Sequence, residues 1–178
     1  MSKLTRYVAF LRGVNVGGWV IKNTDLEACI TKLGFADVRI VIQSGNVLFS
    51  APKTTIAKLV ATIEAGLTER FNYPAKVMVV SAKDLEAIAD AYPFDHSIAT
   101  DQHYVLFLRK DLAAEMVKAA PTDKAIEKLA PGKQVVYWTV PKGQTLHSVF
   151  GKFLGKAPYR DIHTNRNLNT LRKILALA

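Results

Sequence analysis

Short apolar runs alternate with segments of 3.6-residue periodicity in the same order twice along the chain, and that succession sets which folds are open to it. In the first half, residues 7–11 read as a strand. A helix follows, with Leu26, Cys29, Ile30 and Leu33 on its apolar face, Asn23 or Thr24 as cap and Gly34 as stop. Residues 38–42 and 47–49 read as the second and third strands, joined through Gln43-Ser44-Gly45-Asn46, a turn-forming run of hairpin length. A longer helix over 55–71 carries a stripe of Ile56, Leu59, Val60, Ile63 and Leu67. Residues 77–80 make the fourth strand, and Ser81 with Asp84 three residues on forms a capping box for a short helix buried through Leu85, Ile88 and Ala89.

The second half repeats the plan. Residues 103–108 read as a strand, 111–119 as a helix and 134–140 as a strong strand after a Pro131-Gly132 turn. Residues 126–129 fit either a helix or the first arm of that hairpin, and the repeat favours the hairpin. Leu146, Val149, Phe150, Phe153 and Leu154 mark a helix ended by Gly155. Residues 159–163 suit a short last strand, and Leu168, Leu171, Ile174 and Leu175 line a terminal helix capped by Asn167. Each half is βαββαβ plus a helix, so the expected class is α+β: tandem ferredoxin-like units with antiparallel sheets and additional helices. Periodicity is lost over 93–102, which predicts an N-terminal half of 1–95 and a C-terminal half of 96–178. The strands at 7–11, 77–80, 104–108 and 135–140 are apolar on both alternating sets of side chains, which predicts sheets covered on both faces. That argues against an open sheet on which exposed aromatics stack RNA bases.

Composition narrows the function classes. Cys29 is the only cysteine, which excludes an internal disulfide and suits a reducing compartment; its place beside Leu26, Ile30 and Leu33 predicts packing. No apolar run approaches the roughly 20 residues of a membrane-spanning helix, and no cleavage pattern follows the N-terminal Lys3 and Arg6. The expectation is a soluble cytoplasmic protein without a membrane partner. The net charge of +9 is uneven: residues 1–130 carry 16 Lys and Arg against 14 Asp and Glu, whereas residues 131–178 carry eight against Asp161 alone, leaving +7. This C-terminal basic segment, with Lys142, Lys152, Lys156, Arg160, Arg166, Arg172 and Lys173, either attracts phosphates or an acidic partner or serves as a solvated surface.

Three motifs supply candidate ligand-binding residues. The first strand exits into a loop with Gly13, Gly17 and Gly18, whose polar groups are Arg12 and Asn15. In a ferredoxin-like unit the first and third strands are antiparallel neighbours, so this loop meets the turn bearing Gln43, Ser44 and Asn46. These groups either hold an anion or small polar ligand or tie irregular backbone together. Arg160, Arg166 and Asn167 lie near the start of the last helix, where N–H groups and the dipole favour an anion. Capping accounts for one asparagine of the run 164–170. The glycines form neither a phosphate loop nor Gly-x-Gly-x-x-Gly. His96, His103, His147 and His163 fall at no metal-ligand spacing, Ser148 and Lys152 are four apart rather than three, and Ser44 lacks the glycine of a nucleophile elbow. No catalytic residue, metal site or cofactor is predicted.

Leu11-Arg12-Gly13-Val14-Asn15-Val16-Gly17-Gly18, Leu33-Gly34-Phe35-Ala36-Asp37-Val38-Arg39 and Ile42-Gln43-Ser44-Gly45-Asn46-Val47 resemble the bacterial domain of unknown function 1697 family. Arg166-Asn167-Leu168-Asn169-Thr170 is similar to its C-terminal signature, with Leu168 where the family usually has Trp. The resemblance implies a two-part ferredoxin-like fold and no established activity. The functional expectation is non-catalytic, phosphate-directed binding, with nucleic acid, a nucleotide or another phosphorylated small molecule as partner. The alternatives are an enzyme acting on a small anionic metabolite at the loop cleft, with Arg12 and Arg166 as clamps, or a protein-interaction module.

Overall fold

The computed structural model describes residues 3–14, 20–42 and 45–178. The chain divides into two compact units, one of residues 1–87 with 173–178 and one of 88–172. The aperiodic run 93–102 lies inside the second.

In the first unit, β1 (Leu4–Arg12), β2 (Ala36–Ile40), β3 (Asn46–Pro52) and β4 (Lys76–Ser81) form an antiparallel sheet in the order β2-β3-β1-β4. Helices α1 (Asn23–Lys32) and α2 (Ile56–Phe71) connect β1 to β2 and β3 to β4. This is the βαββαβ order with the ferredoxin-like arrangement of strands. Tyr7, Ala9 and Leu11 of β1 share one core with Leu26, Cys29 and Ile30 of α1 and Leu59, Ile63 and Leu67 of α2. Cys29 packs there, its thiol 3.7 Å from the Gly66 carbonyl. The alternate residues Val8 and Phe10 are buried too, so both side-chain sets of β1 are covered. Thr55 caps α2 by accepting the Lys58 N–H at 3.3 Å. Lys22, not Asn23 or Thr24, occupies the N-cap of α1, with no side-chain capping bond. Ser81 bonds the Asp84 N–H and carboxylate at the start of α3 (Ala82–Asp90), which is the expected capping box.

The second unit repeats the sheet with β5 (Asp101–Leu108), β6 (Lys128–Gly132), β7 (Val135–Pro141) and β8 (His163–Asn167), ordered β6-β7-β5-β8. Its helices are α4 (Ala113–Ala119) and the short α5 (Val149–Leu154), and α6 (Leu168–Leu175) begins in this unit and ends among the residues of the first. Leu106, Leu108, Val136, Trp138 and Val140 pack with Met116 of α4 and Phe150 and Leu154 of α5. Val105, Phe107 and Val135 on the alternate sets are buried as well.

Three local expectations are corrected. The turn before β7 is Lys133-Gln134, two residues later than Pro131-Gly132, because Gly132 pairs with Val135 and Gln134 takes the left-handed φ of 57°. Pro131 is tolerated since β6 is an edge strand. Leu146 lies outside α5 and is 78% exposed, because Ser148 caps the helix by accepting the Gly151 N–H at 3.1 Å. The last strand starts at His163, and Tyr159–Asp161 form a single 3-10 turn.

Candidate functional site

Of the sequence-predicted residues, Arg12 and Asn46 belong to the first unit and Arg160, Arg166 and Asn167 to the second. Asn15, Gln43 and Ser44 lie outside the described residues. Arg12 ends β1, one position beyond Leu11, whose N–H donates to the Gly45 carbonyl at 2.8 Å. Phe10 pairs with Asn46, so the end of β1 and the turn entering β3 are neighbours, as the topology requires. Asn46 is only 2% exposed, and its Nδ2 donates to the Val41 carbonyl at 3.0 Å, holding the turn together. The Arg12 carbonyl accepts the Tyr73 hydroxyl.

Arg166 and Asn167 belong to β8, opposite Val105 and Tyr104 of β5. Arg166 Nη1 donates to Thr164 Oγ1 at 2.9 Å and to the Asn165 carbonyl at 2.8 Å, which lays the guanidinium along its own strand. Asn167 donates to Gln102 Oε1 at 2.7 Å and accepts the Asn169 N–H at 2.9 Å, capping α6. Arg160 differs. Its side chain is 63% exposed, paired at 3.7 Å with the equally open Asp161. An ion pair this exposed contributes little to stability.

Arg160 closes a cationic stretch whose other members stood out in the sequence only as part of the basic segment. Lys142, Lys152, Lys156 and Arg160 are all exposed, as is His147. The last three cations are spaced by four, and backbone bonds turn the chain between them: Lys156 N–H donates to the Phe153 carbonyl at 3.1 Å, and Arg160 N–H to the Lys156 carbonyl at 2.9 Å. That spacing was the available sequence signal.

Aromatic rings underlie this stretch. Trp138 on β7 and Phe150 on α5 are 1% and 0% exposed, with ring centroids 5.2 Å apart. Phe150 stacks on Phe153 at 5.9 Å, and Phe153 lies 4.2 Å from Tyr159 at 33°. The series runs from the core to two half-buried rings, Phe153 and Tyr159, next in sequence to Lys152 and Arg160. His163 Nδ1 donates to the Tyr159 carbonyl at 2.7 Å, fixing the 3-10 turn to β8.

The second unit also holds a buried polar cluster. Tyr92 Oη donates to the Trp138 carbonyl at 2.9 Å, and Thr139 Oγ1 to the Gln102 carbonyl at 3.2 Å. His103 Nδ1 faces both hydroxyls, at 3.4 Å from Tyr92 and 3.2 Å from Thr139. Burial pushes the Tyr92 hydroxyl well above the ordinary tyrosine pKa and raises that of Tyr137 as well. Among the described residues no group of three or more His, Cys, Asp or Glu could hold a metal ion, and no helix is long and apolar enough to cross a membrane.

The two sheets and the helices that connect their strands define the class as a tandem ferredoxin-like α+β protein. A family model described as "Protein of unknown function (DUF1697)" matches residues 4–137, and the chain belongs to that family. Its structure is similar to that of the conserved bacterial protein SP0830 from Streptococcus pneumoniae, at 27% identity and a TM-score of 0.83 over 98% of this chain and 99% of that one. An unknown protein from Galdieria sulphuraria aligns at 12% identity over 93% of this chain and 98% of that one, with a TM-score of 0.28. No curated protein matches the chain.

Proposed function

We propose that this protein is a non-catalytic, phosphate-directed binder with nucleic acid as its ligand, and that the segment from Lys142 to Arg160 is the contact surface. The observation that carries the reading is the run of exposed cations Lys142, Lys152, Lys156 and Arg160, with Asp161 the only acid from residue 131 to the end of the chain. The covered faces of the second sheet favour contact through helix and loop rather than through strand aromatics. The enzyme reading draws less support, since Arg166 is engaged along its own strand and Asn46 within its turn.

Fluorescence anisotropy with short RNA and DNA, at low and moderate salt, tests the proposal. Neutralising four phosphates releases counterions, so affinity should drop on the order of 50- to 150-fold between 50 and 200 mM salt. Absence of binding at the lower salt would remove the reading.

A further inference from the structure

The geometry points to single-stranded nucleic acid as the ligand class, with the Tyr159 ring as a base-stacking platform between Lys156 and Arg160. This inference rests on the phosphate-directed reading and sharpens it. A duplex offers a protein surface only phosphates and groove edges, and the cations alone would serve it equally well. A single strand also offers base faces, and aromatic side chains beside a cationic track take them up with little regard to sequence.

Tyr159 meets the requirements of such a platform. A stacking ring must be held rigidly from behind, or the entropy of ordering it cancels the gain. Phe153 backs Tyr159 at 4.2 Å, Phe150 backs Phe153 at 5.9 Å, and the fully buried Phe150 anchors the series on Trp138. The backbone is held too: the Tyr159 carbonyl accepts the His163 Nδ1–H at 2.7 Å and the Ile162 N–H at 3.2 Å. Tyr159 is partly buried, packed against the edge of the core, and its sequence neighbour Arg160 is exposed. Lys152 precedes Phe153 and Arg160 follows Tyr159 in sequence, and both cations are exposed, as is Lys156.

The test uses the full chain with three probes at 50 mM salt: a labelled oligouridylate, an RNA duplex of the same length, and inorganic polyphosphate as competitor. Tyr159→Leu keeps an apolar side chain on Phe153 but removes the π face. It should weaken oligouridylate binding about tenfold and leave polyphosphate competition against the duplex within twofold of wild type. Tyr159→Phe should restore the single-strand affinity. Wild-type protein irradiated with an oligonucleotide containing 4-thiouridine should crosslink at Tyr159 or Phe153, a readout independent of any variant's folding. Equal affinity of Tyr159→Leu and wild type for oligouridylate, or crosslinks confined to other segments, would overturn the stacking inference while the phosphate-directed reading stands. Failure of the wild type to bind all three probes would overturn both.

Discussion

The Glu127 carboxylate receives the backbone N–H of Phe150 on both of its oxygens, each at 3.2 Å, in a position where Glu127 is only 3% exposed. Its Oε2 also accepts the Asp123 N–H at 3.1 Å, so a buried charge joins the loop before β6 to the first turn of α5. Because α5 carries Lys152 and Phe153, this bond positions the proposed contact surface. Glu127→Ala should cost about 2–3 kcal/mol, given charge-assisted bonds and donors left buried, and Glu127→Gln less. Urea denaturation measures the difference, and an unchanged midpoint for Glu127→Ala would refute the assignment.

Gly45 joins two constraints at the end of β1. Its φ is +72°, and a Cβ there would lie 2.7 Å from Leu11 Cβ. Gly45→Ala should therefore destabilise the protein by about 2 kcal/mol, seen as a lower thermal midpoint. Gly34 also has positive φ but open space around it, so Gly34→Ala should cost only the conformational term.

Burial raises the pKa of Tyr92 and Tyr137 in the folded chain. An unfolded tyrosine releases its proton near pH 10, while the folded one keeps it. Both groups thus contribute stability that is fully present below about pH 10 and is lost as pH rises toward the folded values. Tyr92→Phe removes the bond to the Trp138 carbonyl and should cost about 1 kcal/mol at pH 8. Above pH 10 its stability should fall less steeply than that of wild type, by up to about 1.4 kcal/mol per pH unit. Denaturation curves from pH 8 to 11 give both numbers, and parallel slopes would contradict the account.

Asn167 acts as a helix cap and strand tie, through Asn169 and Gln102. Asn167→Ala should lower stability by about 1 kcal/mol with no change in RNA affinity. A selective loss of RNA affinity in a well-folded Asn167→Ala would instead place the ligand at the β8–α6 junction.

Where side-chain period alone decides an element, the fold was legible in the residues. The double apolar sets of β1, β5 and β7, the stripe of α2 and the Ser81–Asp84 box all appear in the structure. Legibility ended where a distant partner sets the boundary. Leu146 continues the apolar spacing of α5, but the Ser148 cap and the Glu127 carboxylate, 22 residues before Val149 in sequence, start the helix later. The hairpin turn moved because strand pairing at Gly132–Val135 outweighed the turn preference of Pro131-Gly132. The candidate site shows the same limit. Arginine and asparagine side chains signal polar contacts in the sequence without saying to what, and Arg166 and Asn46 turn inward to oxygens of their own chain segments. The aromatic backing of Tyr159 depends on Trp138, 21 residues away, and no local pattern announces it.

The most direct test of the phosphate-directed account is the slope of log affinity against log salt for a short single-stranded RNA. Four cations in contact predict a wild-type slope of about −3, and replacing Lys152, Lys156 and Arg160 together by Gln should bring it to about −1. A slope that stays at the wild-type value in this triple variant would contradict the assignment of residues 142–160 as the nucleic-acid surface.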